Sequence, residues 1–370
     1  MNILVTGGAG YIGSHVAKAL FRAGYHPFVY DNLSRGNRWA VQWGPLEHGD
    51  LLDESRLDQV FSKNQFDAVI HLAALAYVGE SMSDAGRYFH NNVQGSLCLL
   101  RAMQRATVTK IVFSSTCAVY GTPSSIPITE ETPPSPCNPY GESKRIVEQL
   151  LQWFGQCHNF QWVALRYFNA AGCDPDGQIG ELHDPEPHLI PSLLQALLTP
   201  GRICPVFGTD YPTPDGTCIR DYIHVSDLAH AHLLSLNHLN RQGPSGPINL
   251  GTGQGYSVSQ IVAAIEHHTG LVVPVVFKPR RPGDPPQLIA SAQRGKEILN
   301  WAPSHSSLDQ IIRTAWAWSQ KVASPLFLAD LQSSSQSLLA MKSSLQSNPE
   351  TRDRKFNSTS SIRIDPLTTK

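Results

Sequence analysis

The chain carries almost no net charge: 29 Lys and Arg against 30 Asp and Glu leave −1 over 370 residues. Without a basic surplus there is no support for binding nucleic acid or an anionic membrane surface, which call for a basic patch or stripe. No apolar run approaches the roughly 20 residues that cross a bilayer, so no membrane segment is expected. Nor does a basic leader or apolar signal region precede Met1-Asn2-Ile3-Leu4-Val5, and a cytoplasmic location is the default expectation. The cysteines (Cys98, Cys117, Cys137, Cys157, Cys173, Cys204 and Cys218) are odd in number and include no C-x-x-C pair. That excludes a disulfide framework and a zinc signature, leaving free thiols. The histidines are as scattered, with His230 and His232 on different faces of a helix, and no metal is expected. There is no internal repeat.

What is present is an ordinary globular composition, 41% apolar and 16% charged, long enough for one large domain or two modest ones. Over the first 170 residues short apolar runs alternate with helix-length stretches. Ile3-Leu4-Val5, Phe28-Val29-Tyr30, Ala68-Val69-Ile70-His71-Leu72, Lys110-Ile111-Val112-Phe113 and Trp162-Val163-Ala164-Leu165-Arg166 read as buried parallel strands. Segments 13–23 and 87–105 read as helices between them. This βαβα rhythm predicts an α/β fold, a Rossmann-type doubly wound parallel sheet covered on both faces. Past residue 170, Gly/Pro-rich loops separate shorter helices at 189–198 and 226–239. A smaller mixed α/β domain over residues 171–322 is expected at the carboxyl edge of the sheet, with some segments returning to the core. From residue 323 the chain turns Ser-rich, as in Ser333-Ser334-Ser335, and a disordered tail is expected, with at most a weak helix at 337–345.

Thr6-Gly7-Gly8-Ala9-Gly10-Tyr11-Ile12-Gly13 follows the first strand and opens a helix. Glycines let the chain turn tightly and bring backbone N–H groups up to a pyrophosphate at a helix N-terminus. A glycine pattern alone is weak; strand before and helix after set aside a plain tight turn. The second strand ends at Tyr30-Asp31. A carboxylate there accepts from both hydroxyls of an adenosine ribose and repels a 2′-phosphate, which favours NAD over NADP. Arg35 lies close enough to blur that preference. Asp50 has two open readings, an edge for the adenine or a cap for a helix at 51–61.

Asn138-Pro139-Tyr140-Gly141-Glu142-Ser143-Lys144 is the most informative stretch. Asn138 suits a helix cap with Pro139 at the first position, placing Tyr140 and Lys144 on one face. An ammonium beside the phenol is expected to lower its pKa from about 10 toward the range a base needs. Tyr-x-x-x-Lys is common by chance, but the fifth strand delivers Ser114-Ser115-Thr116 to the same edge. Thr116 could bond the reacting hydroxyl and relay its proton to Tyr140; Ser and Thr at a strand end are otherwise routine loop residues.

Together the glycine pattern, Asp31, Thr116 and Tyr140-x-x-x-Lys144 resemble the extended short-chain dehydrogenase/reductase family, in particular its NAD-dependent nucleotide-sugar epimerases. Supporting stretches are Val78-Gly79-Glu80-Ser81, Asn91-Asn92-Val93, Arg166-Tyr167-Phe168-Asn169, Phe207-Gly208-Thr209-Asp210-Tyr211-Pro212-Thr213, Arg220-Asp221-Tyr222-Ile223-His224-Val225 and Arg280-Arg281-Pro282-Gly283-Asp284. The match runs from Met1 to about residue 320. The resemblance implies that Gly7, Gly10, Gly13, Tyr11 and Ile12 meet the pyrophosphate and Asp31 and Asn32 the adenosine ribose. It implies Asp50 and Leu51 beside the adenine, with Leu72, Ala73, Ala74, Asn92 and Phe168 flanking the cofactor and Lys144 also on the nicotinamide ribose. On the UDP-sugar side it implies Thr116, Tyr140, Asn169, His188, Leu189, Phe207, Arg220, Arg281, Asp284 and Leu288.

The implied reaction is inversion at C4 of a UDP-hexose, UDP-galactose with UDP-glucose, through a 4-keto intermediate on tightly bound NAD. Tyr140, Lys144 and Thr116 would be catalytic. Leu288 stands where some relatives carry a bulkier tyrosine, which keeps UDP-GlcNAc with UDP-GalNAc open as substrates; UDP-xylose with UDP-arabinose is open too. Cys117 and Ala118 follow Thr116 where dehydratases of the family place carboxylates, so dehydration is disfavoured. A catalytically silent NAD-sensing protein is the rival of another class, set against the completeness of the motif. The family also implies a homodimer through helices that include the Tyr140 helix.

Overall fold

Ile3, Leu4 and Val5 are fully buried on both faces of their strand, the condition for a parallel sheet sandwiched between helices. The computed structural model describes residues 1–281, 284–327 and 329. Pro282, Gly283 and nearly all of the Ser-rich tail, with the helix expected at 337–345, lie outside the described residues. Met1–Lys321 form one compact unit.

In chain order the first half contains β1 (Asn2–Thr6), α1 (Tyr11–Arg22), β2 (His26–Asp31), β3 (Leu46–His48), α2 (Glu54–Lys63), β4 (Ala68–His71), α3 (Val78–Ser83), α4 (Ala85–Tyr88) and α5 (Gly95–Arg105). There follow β5 (Lys110–Ser114), α6 (Pro139–His158), β6 (Gln161–Tyr167), β7 (Asn169–Ala171), α7 (Leu189–Leu198), β8 (Cys204–Phe207) and β9 (Ile219–His224). The rest is α8 (Val225–Asn240), β10 (Gly246–Leu250), β11 (Gly255–Ser257), α9 (Val258–Thr269), β12 (Val275–Lys278), β13 (Gln287–Leu288), α10 (Gln293–Leu299) and α11 (Leu308–Val322).

Seven parallel strands form the main sheet in the order β3-β2-β1-β4-β5-β6-β10. This is the doubly wound fold expected from the alternation. Its sense reverses between β1 and β4, which opens a crevice at their carboxyl ends. Alternate strand residues feed two cores: Leu4, Val69 and Ile111 pack with Leu57, Leu99, Val147 and Leu151 on one face. Ile3, Val5, Ile70 and Val112 pack with Val16, Leu20, Leu228 and Leu236 on the other. Burying two faces this way contributes about 1.5–3 kcal/mol per large side chain.

Two features depart from the sequence reading. The single helix expected over 87–105 is α4, a widened π-type turn from Phe89 to Gln94, and α5. Such a turn inserts a residue and re-aims its neighbours, here turning Asn92 inward to full burial. The helix expected to start at 51 starts at Glu54, capped by Asp53, whose carboxylate accepts from the Arg56 N–H at 2.9 Å; the capping role considered for Asp50 falls away.

Beyond residue 170, β9 is the spine of a small second sheet. It pairs with β7 along Tyr222–His224 and with β11 and β13 along Ile219–Asp221. β8 and β12 form a separate parallel pair.

Candidate active site

β1 delivers the glycine turn to the crevice. Gly7 has φ +72°, and a Cβ there would meet the Ala73 backbone nitrogen at 2.6 Å; one at Gly13 would lie 2.1 Å from the Gly7 carbonyl oxygen. The chain therefore closes on itself in a way only glycine permits. α1 starts at Tyr11 with no side chain capping it, so its first N–H groups are available to an anion. The Tyr11 hydroxyl points elsewhere, donating to the Gly172 carbonyl; what Tyr11 offers at the turn is backbone.

Asp31 ends β2 beside this turn. Its Oδ2 accepts from the Ala9 N–H at 3.0 Å and its Oδ1 from the Leu33 N–H at 2.8 Å. Each oxygen keeps a lone pair for a ribose hydroxyl. Burial raises its pKa, with the two N–H bonds opposing the shift. Arg35 turns away to Glu80 at 2.9 Å and stacks over Tyr77 at 5.0 Å, leaving the carboxylate to set the preference. Asn32 donates to Asp50 at 2.7 Å, and Leu51 is buried behind them. The Asn92 amide accepts from the Leu75 N–H at 2.8 Å and donates to the Leu75 carbonyl and to Ser143 Oγ, both at 2.9 Å. It clamps the 72–76 loop to α6 with every polar position in use.

On α6, Asn138 accepts from the Gly141 N–H at 2.8 Å with Pro139 in the first turn. Tyr140 and Lys144 are both buried. Lys144 Nζ donates to the Ser114 carbonyl at 2.9 Å and lies 4.8 Å over Phe113. Burial lowers its pKa to about 7, opposed by Glu148. Thr116 Oγ1 accepts from the Ala118 N–H at 3.1 Å, which leaves its own proton to donate. The expected lowering of Tyr140 does not occur in this pocket: burial raises it well above the ordinary value, Tyr167 adds to the rise, and Thr116 opposes it. Lys144, engaged with Ser114, is not enough to offset desolvation.

Behind these groups lies a network that the sequence reading missed. Arg166 grips Glu148 through Nε at 2.9 Å and Nη2 at 2.6 Å, and Ser115 Oγ donates to the same carboxylate. Arg166 Nη1 also donates to the Tyr120 hydroxyl, which donates to Asn249. Glu148 lies one turn past Lys144 on the inner face of α6; that spacing was the available signal.

The small second sheet supplies the far side. Arg220 on β9 is buried and paired with Asp284, while Arg281 stacks 4.1 Å over Phe207. Leu288 pairs with Arg220 across β13 and packs with Phe168, Cys117 and Tyr120, the residues around Thr116. Asn169 lies on β7 beside Tyr222, and Leu189 starts α7. His188 stands apart: its ring faces Glu181 and Glu186. Pairing there outweighs burial, lowering Glu181 and raising His183 and His188.

A glycine turn, a ribose-type carboxylate and a Thr–Tyr–Lys group at one sheet edge define a dinucleotide-dependent site of the short-chain dehydrogenase kind. Residues 3–251 match the NAD dependent epimerase/dehydratase family. The chain is 48% identical over 318 residues to the UDP-glucose 4-epimerase of Halalkalibacterium halodurans, covering 86% of this chain and 95% of that one. It is similar to the crystal structure of UDP-glucose 4-epimerase from Brucella ovis in complex with NAD (50% identity, TM-score 0.83, 85% and 97% of the two chains). It is also similar to the enzyme from Bifidobacterium longum in complex with NAD+ and UDP (38%, TM-score 0.83, 87% and 98%). The chain belongs to the NAD dependent epimerase/dehydratase family. Among the described residues no helix is long and apolar enough to cross a membrane.

Proposed function

We propose that the chain interconverts UDP-galactose and UDP-glucose by oxidising and re-reducing C4 of the sugar. The observation that carries this reading is the convergence of Thr116, Tyr140 and Lys144 at the carboxyl end of β5. Relatives named UDP-glucose 4-epimerase, similar over nearly their whole length, support it. We assign dinucleotide binding to residues 1–170 and the nucleotide sugar to 171–322.

The residues present fit NAD: the Gly7 and Gly13 cradle leaves no room for a Cβ, α1 is uncapped, and both Asp31 oxygens retain an acceptor position. When bound, NAD would supply the acceptor and donor of the C4 hydride and a positive charge that favours the Tyr140 phenolate. Tyr140 takes the proton of the 4-hydroxyl and gives it back after the 4-keto sugar has presented its other face. Thr116 donates to the reacting oxygen, and Lys144 holds the nicotinamide-ribose side and the end of β5. Arg220 and Arg281 anchor the diphosphate, because guanidinium forks match its oxygens, while Asp284 orients Arg220. That remote binding retains the substrate while the sugar turns.

A second reading widens the substrate. Leu288 sits in the wall with Phe168 and Cys117, and a side chain of that size supports room for an N-acetyl group. A homodimer is the assembly we propose, through the outer face of α6, where Ile146, Leu150 and Trp153 line a surface cleft and Trp153 is 63% exposed.

The test supplies purified protein with UDP-galactose, UDP-GalNAc and UDP-arabinose in turn, without added NAD, and follows the C4 epimer. Conversion of UDP-galactose, abolished by Tyr140→Phe, establishes the reaction, and the relative rates test Leu288. No conversion of any sugar by folded, NAD-supplied protein would sink the reading and favour a silent NAD-binding protein.

A further inference from the structure

The connection before α7 turns four side chains toward one point. Glu181, His183, Glu186 and His188 each offer a donor atom, and the four atoms all lie within 4.8 Å of one another. His183 Nδ1 is 3.3 Å from Glu181 Oε1 and 3.5 Å from Glu186 Oε2, and His188 Nδ1 is 3.4 Å from Glu186 Oε1. Bonds of about 2.0–2.2 Å from a zinc ion to nitrogen and oxygen give tetrahedral edges of roughly 3.3–3.6 Å. The fourth imidazole–carboxylate contact, His188 Nδ1 to Glu181 Oε1, is a direct hydrogen bond of 2.5 Å that a central ion would open.

A second observation concerns how well these atoms are satisfied. His183 Nδ1 and Glu186 Oε2 are both buried and 3.5 Å apart, close enough for an ion pair, yet neither makes a well-formed hydrogen bond. The Glu186 side chain is 1% exposed. Buried polar atoms are almost always satisfied, and a bound ion is one of the few explanations for an exception. A cation between the two would satisfy a neutral imidazole nitrogen and a carboxylate oxygen together.

We propose that Glu181, His183, Glu186 and His188 hold one divalent cation of the zinc class in a closed, structural site. Two imidazoles and two carboxylates suit zinc, and four protein ligands leave no open position for chemistry. The ion would fasten this connection from within. Trp318 Nε1 already holds the Glu181 carbonyl at 2.8 Å from outside. Tyr77, on the loop that follows β4, packs edge-on against both histidine rings at 6.0 and 6.1 Å. Leu189 follows directly, so the site sets where α7 begins. The dispersed histidine count concealed this; the E-x-H-x-x-E-x-H spacing from Glu181 to His188 was its only trace in the sequence.

The competing arrangement is two imidazolium–carboxylate pairs with no ion, and metal content separates the two without reference to activity. Full-length protein carrying no histidine tag is purified from zinc-supplemented cells and its metals measured. One equivalent of zinc per chain is expected. After chelation, added Co2+ should give the intense visible bands of tetrahedral cobalt and raise the thermal midpoint. His183→Gln and Glu186→Gln should each lose the zinc. Zinc-free folded protein that takes up neither Zn2+ nor Co2+ overturns the proposal, as does undiminished zinc in both variants. If the variants fail to fold, the cobalt spectrum of the unaltered chain decides.

Discussion

Replacing Glu148 by Gln strikes the support of the proposed catalytic group without touching the group itself. The side chains of Glu148 and Arg166 are 9% and 5% exposed, joined by bonds of 2.6 and 2.9 Å. Glu148 keeps the guanidinium charged against the burial that opposes it. Removing one partner of such a pair costs about 3–5 kcal/mol, because the other charge is left uncompensated in a dry site. Gln keeps an oxygen that can still accept from Ser115 or Arg166, so the lower end, about 3 kcal/mol, is expected. Taking the charge from both sides, as Glu148→Gln with Arg166→Met, should recover part of that loss. The double variant should therefore be more stable than Glu148→Gln alone, with a coupling energy on the order of 2 kcal/mol. Urea unfolding of the four proteins, followed by intrinsic fluorescence and circular dichroism at one pH, measures it. Strict additivity, or a Glu148→Gln loss below about 0.5 kcal/mol, would refute the view that this pair is tightly coupled in the fold.

Asp31→Ala should lower the NAD retained through purification by about tenfold or more, since a charged hydrogen bond contributes about 1.5–3 kcal/mol; unchanged NAD content would remove Asp31 from the ribose. Lys144 titrates near 7 in the folded chain, against about 10.4 unfolded. The unfolded chain thus binds more protons between those values, and this group adds stability as pH rises through that window. The urea midpoint of the unaltered chain should therefore gain on that of Lys144→Met between pH 7 and pH 9, and a constant difference counts against the shift. Trp153→Glu places a charge on the exposed apolar face of α6; on the proposed assembly, light scattering should find the unaltered chain dimeric and the variant monomeric, and an intact dimer of the variant moves the interface elsewhere.

Long buried strands and the helices between them were legible because their apolar runs are dictated by burial on both faces. The Asn138 cap and the place of Asp31 at the end of β2 were legible for a similar reason, each following from the local sequence pattern. What the sequence hid depends on partners far along the chain. β7, β11 and β13 are two or three residues long and have no periodicity; they exist because β9 offers both edges. Glu148 and Arg166 are 18 residues apart on different elements, and nothing local pairs them. The state of Tyr140 was misread because an ammonium four residues away was weighed without the desolvation that the finished pocket imposes.

The outer edge of β6 stays bare until β10 pairs with it in register from Val163–Gly246 to Tyr167–Leu250. On a ribosome adding about 5–20 residues per second, that wait is on the order of ten seconds. Over the same interval Val16 and Leu20 of α1 lack the α8 side chains that cover them. A nascent chain therefore displays an unpaired parallel strand and an apolar helix face at once, the combination most prone to pair with a neighbour. Recovery of soluble protein should then depend on how quickly residues 168–250 emerge. Slowing translation within that stretch is the manipulation that would expose it.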